Sequence, residues 1–557
     1  MKFLRRSGLA LLTGILLWLS WPPHGFAFLS FFAFVPLFFV SEALADDKVR
    51  FPFFSGMGYS YISFVVWNAC TTWWVWNSTP EGALAMILLN ALFMSMIFGC
   101  WQRFRSLHLP AVATPICFIA FWCSWEFLHL NWDITWPWLN LGNLFSNCTQ
   151  FVQWYEITGT FGGTVWILVA NFLAFFLIKN LKENRKKAII FSSMLLAWLV
   201  LPATASLIRY FTYPLPQEST DKSIEVVVVQ QNTDPWEEEY SMSNQEHAAR
   251  ILSVAASKMT PSTNLVVCSE SALANTMEYN CLLSGNARQS HVYGGLNLMD
   301  SAILLHPELN FIFGTSLCRF SDHQFTETAR PVMGFGKSWV DYYNASVAYN
   351  RYGVVGTYAK SKLVPGVEKM PYPKIFGFLE QLAIDLGGTS GSLGCDSAQR
   401  CFQLCDCGGV KVGVPICYES AYGEHFGKFV QNGAQVMAVI TNDAWWGNTP
   451  GHTQHFQFSK LRAVESRRTI MRAANTGTSA FINERGDVHQ ETKYETRTAI
   501  RENVFVNNDV TFYNRHGDYI ARFFALLSGC IVLFAIILRV GRFLRRKKGR
   551  ALPTSEN

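Results

Sequence analysis

Seven apolar runs are packed into the first 210 residues, near 7–21, 25–44, 56–76, 83–101, 111–130, 160–178 and 188–207. An eighth lies near 520–540. A helix that crosses a bilayer needs roughly 17–25 predominantly apolar residues. No soluble core could take up so many runs at such close spacing, so the pattern predicts a multi-span helical membrane region. The first run is short and follows Lys2, Arg5 and Arg6, as in the apolar stretch of a signal peptide. No small-residue cleavage site follows it. Trp21-Pro22-Pro23-His24-Gly25 leads straight into the next run, so the first run reads as a retained span.

Charge segregates with hydropathy. Only 15% of residues are charged and 50% are hydrophobic, against about 25% charged in ordinary soluble domains. That apolar mass excludes a disordered chain. Residues 222–515 carry 25 Lys+Arg and 28 Asp+Glu, and the remainder carries 21 and 12. The net positive charge therefore belongs to the apolar part, which points to membrane topology and not to nucleic acid. With the N-terminus in the cytoplasm, the N-terminal segment, the inner loops and the C-terminal stretch from Arg539 onward collect 19 Lys+Arg, while the outer loops 21–25, 77–82 and 131–158 have none. Lys and Arg mark the cytoplasmic side, so residues 208–519 are expected outside it, tethered by a span at each end. Trp132, Trp136, Trp138 and Trp154 cluster at the 131–158 loop. An interfacial aromatic belt explains them, and a lipid-facing mouth for the outer domain is the alternative. Glu126 lies inside an apolar run, too near a span end to be assigned a role.

Five segments follow: a seven-span membrane domain over 1–210, a linker over 211–222, an α/β domain over 223–515, a final span over 518–541 and a basic tail. In the outer domain Ile224–Gln231, Leu265–Cys268, Phe311–Ser316, Tyr343–Tyr349, Val354–Tyr358, Val410–Ile416 and Ala434–Thr441 read as strands. Residues 245–259 and 452–472 read as helices. Such alternation predicts a layered α/β fold.

Fourteen cysteines need sorting. Cys70, Cys100, Cys117, Cys123 and Cys530 lie in apolar spans as small hydrophobes. Cys395, Cys401, Cys405 and Cys407 fall within 13 residues. In an oxidising compartment, one or two disulfides are expected among them. No His accompanies them, which argues against a metal site. Cys417 differs, because it ends a strand-like run and precedes Tyr-Glu-Ser-Ala-Tyr, which can open a helix. Helix N-terminal amides there would stabilise a thiolate and receive an oxyanion. A buried structural cysteine is the competing reading. Glu270 ends the Leu265–Cys268 strand as a candidate general base. Lys360 follows Tyr358-Ala359, with Glu368 eight residues on.

The order Glu270, Lys360, Cys417 resembles the nitrilase superfamily. Four further stretches are similar to the apolipoprotein N-acyltransferase family: Tyr-x-Lys before Leu363-Val364-Pro365, Ile416-Cys417-Tyr418-Glu419, Asn442-Asp443-Ala444-Trp445, and the run from His452 through Arg462 to Gly477. The likeness covers nearly the whole chain, spans included. It departs at Cys268-Ser269, where the family has Trp-Pro, at Lys362, where it has His, and at Gly366-Val367, where it has Phe-Gly. Lys362 therefore competes with Lys360, whose spacing to Leu-Val-Pro and Glu368 fits better.

The resemblance implies an α-β-β-α sandwich on the periplasmic side of a bacterial inner membrane, with both termini cytoplasmic and no cofactor. It implies a Cys417 nucleophile, a Glu270 base and a Lys360 that supports the tetrahedral intermediate. Glu368, Tyr418, Glu419 and Asn344 would support them. Trp236, in Asn-Thr-Asp-Pro-Trp, would touch substrate, with core packing as its competing reading. A fatty acyl chain would pass from a membrane phospholipid, through a Cys417 thioester, to the N-terminal α-amine of a diacylated apolipoprotein. A membrane-bound amidase that uses water, and a non-enzymatic receptor with a nitrilase-like domain, remain the alternatives.

Overall fold

The computed structural model describes residues 1–105, 113–216, 222–284, 293–332, 338–376, 392–396, 398 and 400–550, with side chains described as far as residue 541. The membrane part holds α1 (Lys2–Ser20), α2 (Val35–Asp46), α3 (Pro52–Thr72), α4 (Pro80–Arg105), α5 (Ala113–Asn131), α6 (Tyr155–Glu183) and α7 (Arg185–Thr212). A last helix runs Tyr519–Arg550.

Seven of the eight expected spans coincide with helical segments that are long and apolar enough to cross a membrane. The exception is α3. It has 21 residues, yet Ser60, Ser63, Asn68, Thr71 and Thr72 dilute its apolar character. These side chains are buried, and all but the Thr71 hydroxyl are paired: Ser63 donates to the Ala10 carbonyl (2.7 Å) and Asn68 accepts from Asn90 (2.7 Å). The second span is broken, with a 3₁₀ turn over Ala27–Phe31 before α2. Glu126 is structural. It accepts from Trp122 Nε1 (3.0 Å), Leu141 N–H (2.8 Å) and Thr164 Oγ1 (2.8 Å), which pins the loop after α5 to α6.

The outer domain contains β1 (Ser223–Gln230), β2 (Thr263–Val267), β3 (Leu273–Glu278), β4 (Asn310–Ser321), β5 (Arg330–Pro331), β6 (Trp339–Asn350), β7 (Gly353–Ala359), β8 (Cys401–Leu404), β9 (Val410–Gly413), β10 (Val436–Thr441), β11 (Ile470–Ala474), β12 (Ala480–Ile482), β13 (Val488–His489) and β14 (Thr498–Phe505). They form two sheets. The first runs β14-β1-β2-β4-β6-β5, with β3 beside β4 and β7 beside β6. The second runs β13-β12-β11-β10-β9-β8. β1, β2 and β4 are parallel, as are β9, β10 and β11.

Side-chain alternation explains the layering. Val226 and Val228 of β1, with Leu265 and Val267 of β2, point between the sheets onto Val412 and Ile440. Val227, Val229 and Val266 face outward onto Ile251 of the helix Asn244–Ala256 and Leu296 and Met299 of the helix Gly294–Leu305. A strand buried on both faces must be apolar throughout, as Val226–Val229 are. The helices Gly423–Gln431 and Pro450–Ser466 pack on the second sheet, completing an α-β-β-α sandwich.

The sequence places one helix over 452–472, but the structure divides that segment. Arg467 takes a left-handed φ of 47° and ends the helix at Ser466, and Ile470–Ala474 then joins the sheet as β11. The expected disulfides among Cys395, Cys401, Cys405 and Cys407 do not form, and all four thiols are free. Their side chains point to different places. Cys401 donates to the Phe429 carbonyl (3.2 Å), Cys407 accepts from Asn310 Nδ2 (3.2 Å), and Cys395 and Cys405 are exposed.

Gln454 joins the two parts. From the helix Pro450–Ser466 it accepts the indole N–H groups of Trp74 (3.1 Å) and Trp138 (2.8 Å). It donates to the carbonyls of Pro22 (2.9 Å) and Thr71 (3.2 Å). One side chain thus gathers three membrane loops.

Candidate active site

β2 ends at Val267, but the chain stays laced to β4. Cys268 N–H donates to the Ile312 carbonyl (2.8 Å) and Gly314 N–H to the Ser269 carbonyl (3.0 Å). This carries Glu270 to the carboxyl end of the parallel strands. The close approach requires glycine at 314, since a Cβ there would lie 2.6 Å from Glu270 Cα. Lys360 leaves β7 with its N–H on the Asn344 carbonyl (2.8 Å). Its ammonium, 1% exposed, donates to Glu270 Oε1 (3.1 Å) and Glu368 Oε1 (2.8 Å). Asn344 Nδ2 donates to the same two oxygens at 2.7 and 3.0 Å. Glu270 Oε2 accepts the Asn442 N–H (2.9 Å), and Glu368 Oε2 the Val364 N–H (2.9 Å). The lysine is thus fixed between two carboxylates. Burial alone would lower its proton affinity, but the charges of Glu270, Glu368 and Cys417 outweigh burial and hold it well above the ordinary lysine value.

Cys417 comes from the other sheet. β9 stops at Gly413, Ile416 bridges to Ile440, and Cys417 opens the 3₁₀ helix Cys417–Ala421. Its φ of 50° is left-handed. For a residue with a Cβ such a conformation costs on the order of 1–3 kcal/mol and persists where the surroundings impose it. They do so here: Ser420 Oγ donates to the Cys417 carbonyl (2.7 Å), and His455 lies 3.1 Å from it and 2.9 Å from Asp443. Arg472 donates to Asp443 (2.7 Å), all within a fully buried network. Burial raises the Cys417 thiol, the Glu270 charge raises it further, and Lys360 opposes both. The thiol is therefore protonated at rest and needs a base.

Glu419 has a different task from Lys360's carboxylates. It accepts from Ile416 N–H (2.8 Å), Ser361 N–H (2.7 Å), Lys362 N–H (3.2 Å) and Tyr358 Oη (2.6 Å), and sits 3.1 Å from His425. It ties the Lys360 segment to the Cys417 segment. Tyr418 Oη donates to the Thr135 carbonyl (2.8 Å) in the membrane loop, while its N–H, in the first turn of a helix, has no intrahelical acceptor. Lys362 points away from the carboxylates. Its ammonium donates to the Leu130 carbonyl (3.3 Å) and lies 5.0 Å from the Tyr422 ring centre. Lys360 is therefore the lysine of the cluster. Trp236 is not core. It is 67% exposed and packs edge-on against Trp445 at 4.9 Å. Among the described residues, no group of three or more His, Cys, Asp or Glu could hold a metal ion.

The roles of two participants escaped the sequence. Asn442 holds Glu270 through its backbone, which no side-chain pattern announces. Glu239 is buried and accepts from Asn442 Nδ2 (2.8 Å), yet in Trp-Glu-Glu-Glu it reads as one of three solvated acids.

Two family models match the chain: an apolipoprotein N-acyltransferase N-terminal domain over residues 13–173 and a carbon-nitrogen hydrolase domain over 226–504. An apolipoprotein N-acyltransferase of Chlorobaculum tepidum is 27% identical over 543 residues, covering 95% of this chain and 96% of its own. One of Geobacter metallireducens is 26% identical over 549 residues, covering 95% of each. Among solved structures, the Saccharomyces cerevisiae Nit3 of the nitrilase superfamily aligns with 51% of this chain and 90% of its own, at 16% identity and a TM-score of 0.34.

Proposed function

For a chain that belongs to the carbon-nitrogen hydrolase family, in its apolipoprotein N-acyltransferase branch, we propose a two-step acyl transfer through a thioester on Cys417. The protein is a bacterial membrane acyltransferase of lipoprotein maturation, and lipids and lipoproteins are its substrates. Glu270 takes the proton from Cys417 Sγ, and the thiolate attacks the acyl ester carbonyl of a phospholipid. Lys360 Nζ and the Tyr418 N–H stabilise the oxyanion, each such donor being worth about 2.7–4 kcal/mol. The carbonyl re-forms, the C–O bond breaks, and Glu270 returns its proton to the departing lysophospholipid oxygen. In the second half the N-terminal amine of a diacylated lipoprotein attacks the thioester. Glu270 takes the amine proton and passes it to the Cys417 sulfur as the C–S bond breaks, leaving an amide.

The observation that carries this reading is the placing of the membrane segment 130–135, which runs from the end of α5 into the following loop, on both sides of the site. Leu130 accepts from Lys362, Asp133 from Lys369 (2.7 Å) and Thr135 from Tyr418, the neighbours of Lys360, Glu368 and Cys417. A site roofed by membrane loops admits a lipid and excludes water, as an amine acceptor competing with hydrolysis requires. The catalytic domain then lies on the periplasmic face, with both termini in the cytoplasm.

The test is to give purified protein in phospholipid vesicles a diacylated lipopeptide with a free N-terminus and, separately, its N-acetylated form. Transfer of a labelled acyl chain only to the free amine supports the proposal. Release of free fatty acid without amide product would contradict it.

A further inference from the structure

The loop between β1 and the helix Asn244–Ala256 is sewn to the site at one residue. Asn232 N–H donates to the Asn475 carbonyl (2.9 Å), Thr233 N–H to Asn475 Oδ1 (2.9 Å), and Asn475 Nδ2 to Asn442 Oδ1 (3.1 Å). Asn442 then reaches two carboxylates with two different groups. Its backbone N–H holds Glu270 Oε2 at 2.9 Å and its side-chain amide holds Glu239 Oε2 at 2.8 Å. Glu239 is 2% exposed, and its own carbonyl lies 3.0 Å from His247 Nε2. Two buried carboxylates thus share one asparagine, and the mechanism above uses only one of them.

We infer that Glu239 is a positioning residue for the base: it fixes Asn442 against Glu270, and its charge sets how readily Glu270 takes a proton. The inference rests on the acyl-transfer reading, in which both half-reactions need Glu270 as a proton acceptor. A negative charge beside a carboxylate raises that carboxylate's proton affinity, so ionised Glu239 makes Glu270 the stronger base and neutral Glu239 the weaker one. The groups that face Glu239 are Glu270 and Ser271 from the segment after β2, Tyr240 from its own loop, Asn442 after β10 and His247 from the next helix. Lys360 and Glu368 lie behind Glu270. Burial lifts Glu239 most, the Glu270 charge adds to it, and Ser271, Asn442 and Tyr240 pull it back, to about 7. A carboxyl lifted so far changes charge near neutral pH.

The experiment is the single-turnover rate of thioester formation from labelled phospholipid, followed from about pH 5.5 to 8.5 in the full-length protein. The wild type is expected to accelerate through neutrality by up to about ten-fold, the rate change that one unit of basicity can give. Glu239→Gln keeps an acceptor for the Asn442 amide but cannot ionise. It should hold the acid-side rate across that window, without the rise. Glu239→Ala, which also releases Asn442, should be slower at every pH. A Glu239→Gln profile that superimposes on the wild type overturns the inference. If Glu239→Gln does not fold, Glu239→Asp decides. Its shorter carboxylate must displace the rise along the pH axis, and an unmoved rise overturns the inference equally. Absence of thioester in the wild type at every pH would instead refute the acyl-transfer reading itself.

Discussion

Lys360 donates to Glu270 at 3.1 Å with its ammonium buried, and Glu368 accepts from the same nitrogen at 2.8 Å. The lysine is the counter-ion that lets two carboxylates share a dry site. Lys360→Met removes the cation held between them. Breaking a buried ion pair from one side costs about 3–5 kcal/mol, and losing an oxyanion donor costs about 10²–10³ in rate. Calorimetry and acyl-enzyme formation should register both losses. Unchanged thioester formation would remove Lys360 from the mechanism.

Glu419 gives a pH-dependent prediction. Burial alone would raise it, but His425, the Ile416 N–H and the Tyr358 hydroxyl outweigh burial and hold it at about 2, below the ordinary 4.5. A carboxylate depressed by folding stabilises the fold above its unfolded value, and that stabilisation fades as pH falls through the folded one. Glu419→Gln should therefore cost about 3 kcal/mol near neutrality. The gap to the wild type should close as pH falls from about 4.5 toward 2. Denaturant melts at several pH values would measure it. A gap that stays constant with pH contradicts the assigned charge.

Gln454→Leu tests the joint between the two parts. The substitution strands the indole N–H of Trp138 and the carbonyl of Pro22, while Trp74 and the Thr71 carbonyl keep each other as partners (3.1 Å). Each buried orphan costs about 1–3 kcal/mol. The expected outcome is red-shifted tryptophan emission and slower acylation from vesicle phospholipid, with less effect on acylation from a water-soluble thioester. Equal loss on both donors would place the damage in the site and not at the joint.

Much of this site was legible because its chemistry sits at strand ends, where sequence signals are strong. Glu270 follows an apolar run, Lys360 precedes Leu-Val-Pro, and Cys417 follows Val-Gly-Val-Pro-Ile. Groups that act through the backbone were not legible. Asn442 holds Glu270 with a main-chain N–H, and Glu239 is an acid in an acidic run, buried only because the loop turns inward. In the fold, β1 was legible as a strand from its apolar run, while its burial on both faces is seen only in the structure. β11 was not, because Ile470–Ala474 continues helical spacing and only the left-handed turn at Arg467 separates them. The cysteine cluster misled because closeness in sequence says nothing of where side chains point.

Topology follows from the loops that carry no Lys or Arg. Reporter fusions should read periplasmic at residue 300 and cytoplasmic at residues 185 and 550. A cytoplasmic signal at residue 300 would put the catalytic domain on the wrong side for lipoprotein substrates.

The proposed carrier of the acyl chain is Cys417, whose backbone is left-handed and whose buried thiol feels the charges of Glu270 and Lys360. Mass spectrometry of the protein after incubation with phospholipid, before and after hydroxylamine, tests it most directly. The account predicts one added acyl mass, removed by hydroxylamine, on the peptide that contains Cys417. In Cys417→Ser, whose hydroxyl is the weaker nucleophile, that mass should be absent. An acyl group on another cysteine, or a Cys417→Ser variant that still transfers acyl chains to a diacylated lipopeptide, would contradict it.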